Sequence, residues 1–170
     1  ADTRTFAIAL TSDLGAIRRD LGPFFAIDNA SVGGRLTISV NIVRTKEHLI
    51  VAGKGEIAEF SMTSGSRQIV DPLVKLDATT KLFRETDDLQ IEEARIESTF
   101  LSGKAKGMIK DIKGDPAFDE LTVDARCIPG KLGIVLGPWL SEKWEGDQPR
   151  VIRTTLRGRV SETDVAALLR

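Results

Sequence analysis

Apolar residues recur at every second position in one segment after another of this chain. Leu36, Ile38, Val40 and Ile42 alternate with Thr37, Ser39 and Asn41. Successive side chains of a strand point to opposite faces, so such a segment can bury one side of a sheet and leave the other in water. A helix of the same sequence would scatter its apolar groups around the axis. The spacing returns in Phe6, Ile8 and Leu10, in Leu49 and Val51, and in Val74, Leu76, Ala78 and Leu82. It returns again in Leu89 and Ile91, in Ala94, Ile96, Ser98 and Phe100, in Ala105, Gly107 and Ile109, in Leu121, Val123 and Ala125, and in the segment Val151 to Val160. The phase slips between Ile57 and Phe60, which predicts a bulge there, and it shifts again at Glu92-Glu93.

Polar clusters separate these runs: Arg44 to Glu47, Ser64-Gly65-Ser66, Asp87-Asp88, Ser102-Gly103-Lys104 and Lys113 to Pro116. Short polar turns between consecutive strands predict an antiparallel meander. Helical spacing occurs in Leu14, Ile17 and Leu21, behind a Ser12-Asp13 N-cap and before a Gly22-Pro23 stop. A second short helix is expected from Pro129 to Leu140, then a polar loop over 141–150 around Trp144. A third is expected through Val165, Leu168 and Leu169 behind the capping box Ser161 to Asp164. The expected fold is mainly β with short helices, of the α+β class, with residues 1–170 in a single domain.

The segment Leu21-Gly22-Pro23-Phe24-Phe25 recurs as Leu136-Gly137-Pro138-Trp139-Leu140, an offset of 115 residues between Pro23 and Pro138. The same offset pairs Phe6 with Leu121, Ile8 with Val123, Leu10 with Ala125 and Ile17 with Leu132. The repeated unit is a strand, a short amphipathic helix and a Gly-Pro-aromatic stop, near both ends of the chain. Units of about 1–115 and 116–170, the second incomplete, are the mark of a stackable protein. The chain begins without Met, falls directly into strand spacing and lacks the blocks of a signal peptide, so it reads as a processed product or a piece of a longer repeat protein.

Three stretches resemble the AsmA-like family of bacterial envelope proteins, which includes the translocation-and-assembly-module proteins. They are the helix stops at Ile17 to Phe25 and Leu132 to Leu140, the lead-in Val32-Gly33-Gly34-Arg35-Leu36, and the run Asp88 to Ser98 followed by Ser102 to Gly107. The resemblance implies a long, twisted half-pipe of antiparallel strands, related in architecture to bridge-like lipid-transfer proteins. Its apolar concave face would hold phospholipid or other acyl-chain lipid. The resemblance also implies a periplasmic, cell-envelope location and an inner-membrane anchor in the parent protein.

The remaining features narrow the field. Basic and acidic residues number 24 and 25, a net charge of −1, which gives no electrostatic case for nucleic acid. Aromatics are few and scattered, with no Tyr, so a base-stacking or sugar-binding platform is not in view. The lone Cys127 excludes an internal disulfide, and its setting before Ile128-Pro129 reads as small-residue packing. His48, the single histidine, sits beside a Lys-Glu turn with no nucleophile motif and reads as a turn residue. Gly53-Lys54-Gly55 and Gly103 to Gly107 lack the Lys-Ser/Thr ending of a phosphate loop. The Asp87-Asp88 and Glu92-Glu93 pairs read as turn or solvated residues, since strand neighbours diverge. Trp139 is expected to plug the sheet under its helix. The sequence implies no cofactor, no metal and no catalytic residues.

An apolar ligand needs a continuous greasy strip without unpaired polar groups. Leu36, Ile38, Val40 and Ile42 are the expected lining, with Val74, Leu76 and Leu82 beside them and Leu89, Ile91 and Ile96 next. The expected function is therefore a non-enzymatic lipid-binding or lipid-transport module, with neighbouring repeats as partners. The alternative is a structural or protein-interaction repeat whose strand faces close on each other as an ordinary core, without a ligand.

Overall fold

The computed structural model describes residues 3–21, 30–136 and 146–159. They form a mainly β protein: eight strands in one antiparallel sheet, with two short helices. The strands are β1 (Arg4–Asp13), β2 (Ala30–Arg44), β3 (His48–Ser64), β4 (Arg67–Phe83), β5 (Asp88–Glu97), β6 (Leu101–Lys110), β7 (Ala117–Cys127) and β8 (Arg150–Arg159). Helix α1 (Leu14–Leu21) follows β1, and α2 (Pro129–Leu136) follows β7. Spatial order equals chain order, β1 to β8, and the sheet does not close. The expected meander is thus observed. The Gly22-Pro23 and Gly137-Pro138 stops, Trp139, Trp144, the capping box and the helix behind it lie outside the described residues.

The expected bulge is present, and the phase shift at Glu92-Glu93 is a second one. On β3, Glu59 and Phe60 together stand opposite Gly34 of β2, and Glu59 takes a left-handed backbone (φ 55°). On β5, Glu92 and Glu93 together stand opposite Lys106 of β6. A third, which the sequence reading missed, sits on β7, where Glu120 (φ 55°) and Leu121 face Gly107. Gly107 has to be glycine on two counts. Its φ is +152°, and an added Cβ would fall 2.6 Å from the Glu120 carbonyl oxygen. Gly34 (φ +130°) stands in the same relation to the β3 bulge, with the Ala58 oxygen 3.0 Å from its would-be Cβ.

Two strand limits differ from expectation. β4 begins at Arg67 and runs through Pro72, ahead of the expected start near Leu73. Proline is tolerated there because β5 pairs with β4 only over Lys75–Phe83, leaving that edge of Pro72 without a ladder partner. The turn expected at Ser102-Gly103-Lys104 is instead at Ser98 to Phe100, and those three residues lie within β6. The Ser98 hydroxyl oxygen accepts from the Leu101 and Phe100 amides, at 2.8 and 3.2 Å, and so supplies the turn that a glycine was expected to make. Gly103 serves packing: a Cβ there would lie 2.9 Å from that of Ala125 across the ladder.

The helices sit at one end of the sheet. Asp13 caps α1, its carboxylate accepting from the Ala16 amide at 2.9 Å. Pro129 occupies the first position of α2, where a missing N–H is harmless. Leu132 and Ile134 of α2 bury against Phe60, Met62, Ile69, Phe100 and Cys127, with Leu14, Val32, Ile57 and Val74 around them. β3 changes phase at its bulge and β4 at Pro72, which is how Phe60, Met62, Ile69 and Asp71 reach the same side as Ile57 and Val74. α1 packs mainly on β2, whereas α2 reaches back to β3 and β4, the longest strands, beyond the ends of β5 and β6.

Asp71, fully buried, fastens this end. Its carboxylate accepts from the Thr99 amide at 2.6 Å, the Thr99 hydroxyl at 2.7 Å and the Leu73 amide at 3.0 Å. That ties the β5–β6 turn to β4 and lets Phe100 approach Phe60, with ring centroids 6.4 Å apart. Asp71→Ala is expected to cost about 2–3 kcal/mol, since it strands the three donors that now bind this carboxylate. Gly107→Ala is expected to cost about 1–3 kcal/mol through backbone strain and the clash at Glu120. Urea unfolding of each variant beside the parent protein measures both.

Candidate functional site

The strand registers line up apolar positions across the whole sheet. Leu10 pairs with Ile38, Ile38 with Gly55, Gly55 with Leu76, Leu76 with Ile96, Ile96 with Gly103, Gly103 with Ala125 and Ala125 with Ile152. Directly opposed residues share a face. A second row is Phe6, Ile42, Val51, Thr80, Ile91 and Gly107. A third runs from Leu49 through Leu82, Leu89 and Ile109 to Phe118. All ten residues expected to line a groove (Leu36, Ile38, Val40, Ile42, Val74, Leu76, Leu82, Leu89, Ile91 and Ile96) therefore lie on one face. Val74 stands at the margin of the helix-covered core, packed against it with Ile57. The other nine lie outside that buried cluster and its immediate packing shell.

Between the two larger rows runs a line of small residues: Val40, Gly53, Ala78, Ala94, Ala105 and Val123 in unbroken register. With strands about 4.8 Å apart, this line crosses five gaps and spans roughly 24 Å, on the scale of an extended acyl chain. The alanines and glycines escaped the sequence reading because small residues are weak markers of a lining. Only the registers place them side by side.

Away from the helices this face carries no second layer among the described residues. Phe6, Ile8, Leu10 and Leu76 expose 50–55% of their surface, against 3–7% for Met62, Ile69 and Phe60 in the core. Contiguous exposed apolar surface of this kind marks a binding surface. The opposite face is largely polar and internally paired, with Val70, Leu73 and Val151 exposed on it. Lys54 and Asp77 lie 3.8 Å apart, Arg95 and Glu93 2.7 Å, Arg153 and Asp124 3.6 Å, and Arg157 is bonded to Glu120. At the sheet's end Lys110 meets Asp119 at 3.0 Å, and that hydrogen bond raises the lysine's pKa.

Two open hollows of about 550 and 510 Å³ lie on the polar face, among Lys104, Asp119 and Asp124 and among Arg95, Lys104 and Arg153. Charged side chains of both signs line them, and an apolar ligand there would strand those charges out of water. The apolar face, whose central rows carry no charged side chain, is the better site for such a ligand.

The other singled-out residues take structural positions. His48 is half-buried at the β2–β3 turn, edge-on to Phe83 at 5.9 Å, and its Nδ1 is buried without a partner. Its backbone amide donates to the Thr45 hydroxyl oxygen at 3.0 Å. Glu93 pairs with Arg95 rather than with Glu92. Among the described residues no group of three His, Cys, Asp or Glu is placed to hold a metal ion. No helix among them is long and apolar enough to cross a membrane.

Cys127 is 1% exposed beneath α2, and burial pushes its thiol pKa up, with Arg150 pulling the other way. The thiolate is the reactive form, so burial suppresses reaction in the folded state twice, by raising the pKa and by blocking access, and outweighs the pull of Arg150. A water-soluble disulfide reagent at pH 8 is expected to modify the native protein at least about tenfold more slowly than the urea-unfolded chain. Equal rates would show that the helix-covered end is open.

These observations define a single open antiparallel sheet with one largely polar face and one apolar face that, among the described residues, is covered at one end. No family model, curated protein or solved structure matches this chain.

Proposed function

We propose that this chain is a non-enzymatic lipid-binding module whose open apolar face takes the acyl chain of a phospholipid or related lipid. The observation that carries the reading is the in-register apolar face, which runs across all eight strands and, among the described residues, is covered only at its helix-bearing end. Each methylene removed from water is worth about 0.8 kcal/mol, so a long acyl chain laid along the Gly53–Ala105 line has enough driving force to bind reversibly. The face carries no charged side chain along that line, so nothing polar would be stranded beneath the ligand. The rim and opposite face supply water-facing charge, which keeps the molecule dispersed.

The AsmA-like resemblance gives this reading its setting: a periplasmic lipid conduit, anchored to the inner membrane in the parent protein, in which the sheet curls as a half-pipe and adjoining repeats extend it. Support for a repeat comes from matching elements. Helices α1 and α2 begin 115 residues apart, at Leu14 and Pro129. The strand after each helix matches at 114, Ile38 to Ile152 and Ile42 to Leu156. The pairings Leu10 with Ile38 and Phe6 with Ile42 then reappear as Ala125 with Ile152 and Leu121 with Leu156.

Native mass spectrometry after gentle purification is expected to detect bound lipid, and a fluorescent fatty acid is expected to bind the delipidated protein. Leu76→Asp places a charge on the open face at a half-exposed position with little stability at stake. It is expected to weaken fatty-acid binding about tenfold or more. Absence of both co-purified lipid and fatty-acid uptake would reject the lipid reading.

A further inference from the structure

We propose that the outer edge of β1 accepts one further strand, antiparallel to β1, with apolar residues on the side of Phe6, Ile8 and Leu10 and uncharged residues on the other. The inference rests on the repeat just described and is independent of whether the apolar face binds lipid.

The two ends of the sheet differ in chemistry. β1 is a terminal strand of ten residues whose register with β2 is unbroken from Arg4 to Asp13. Between those ends, Thr5 to Ser12, it has no charged residue, no proline and no bulge. Every residue of β1 except Ser12 is exposed. Free edges are normally blunted by charge, proline or a bulge, because their unpaired backbone groups recruit strands. β8, at the other end, has that protection. Its ten residues include Arg150, Arg153, Arg157 and Arg159, and near its end Gly158 adopts φ 95° where the register with β7 breaks.

The molecule also holds an example of what fits the β1 edge. β7 is the counterpart of β1 at the offset of 115, and it is paired on both sides. β8 lies at one edge, as β2 does for β1, and β6 at the other. β6 runs antiparallel to β7 and sets Leu101, Gly103 and Ala105 opposite Cys127, Ala125 and Val123. The outer edge of β1 is the place that β6 fills on β7, so the occupant is β6-like on its apolar side. The polar side differs. Lys104 of β6 lies opposite Asp124, and the β1 residue at that place is Ala9, with Ala7 and Thr11 to either side. A lysine there would find no carboxylate, so the occupant is neutral on that side.

The probe is an isotope-labelled, end-capped peptide of the β6 sequence with its three lysines replaced by threonine, added to the full chain. It is expected to bind, to give the infrared coupling of antiparallel strands, and to slow amide exchange in β1. Ile8→Lys and, separately, Ala7→Lys are expected to weaken binding at least about tenfold, while Thr154→Lys on β8 leaves it unchanged. Circular dichroism identifies whichever β1 variant keeps its fold. The unaltered, lysine-bearing β6 peptide is expected to bind about fivefold or more weakly than the probe. Equal binding to the folded β1 variants, loss of binding on Thr154→Lys, or a dimer of the chain that protects β1 without peptide would each overturn the proposal. Peptide binding that persists where co-purified lipid and fatty-acid uptake are both absent would leave this inference standing and remove the lipid reading alone.

Discussion

Everything in this molecule depends on keeping apolar side chains on one side of eight successive strands. Side chains alternate with period two, so an uncorrected slip of one residue would turn the rest of a strand inside out. Three two-for-one bulges, at Glu59, at Glu92-Glu93 and at Glu120, sit where strands change phase. In two of them a glycine on the neighbouring strand, Gly34 or Gly107, makes room for the bulged backbone. The bulges are therefore part of how the face stays continuous.

That face is used in two ways. Toward the ends of β3 and β4 it is a core, closed by α2, by Leu14 of α1 and by the β5–β6 turn that Asp71 pins down. Over the rest of the sheet it meets no protein layer among the described residues. The far end is held by loops rather than by a core. The Arg84 amide donates to the Glu47 carbonyl, the Ile112 amide to that of Asp87, and Lys113 pairs with Asp87. Backbone ladders and turn-to-turn bonds thus carry the region where the surface is open, and hydrophobic burial carries the region where it is closed. A scaffold divided in this way can leave greasy surface free without losing its shape.

The lipid reading and the edge-strand inference draw on different features of that design. One concerns side chains on a face, and the other concerns unpaired backbone along β1. Both describe surface for which the described residues supply no partner, and both treat the chain as a unit within a larger assembly.

Strand class, the chain-order meander, the bulge near Glu59, the phase shift at Glu92-Glu93, the Asp13 cap and the common face of ten apolar residues were legible in the sequence. All of these follow from period-two spacing and short polar turns, which are local. It misplaced the β5–β6 turn because Ser98 makes a turn as well as glycine does, and because Gly103 is needed for contact with Ala125, more than twenty positions away. It missed the Glu120 bulge, whose requirement for Gly107 arises only across a ladder. Only the tertiary structure decided how far the apolar face extends, that a line of small residues crosses it, and where the helices cover it. Those are matters of register between strands, and register depends on which residues meet across the sheet, which no single strand specifies alone.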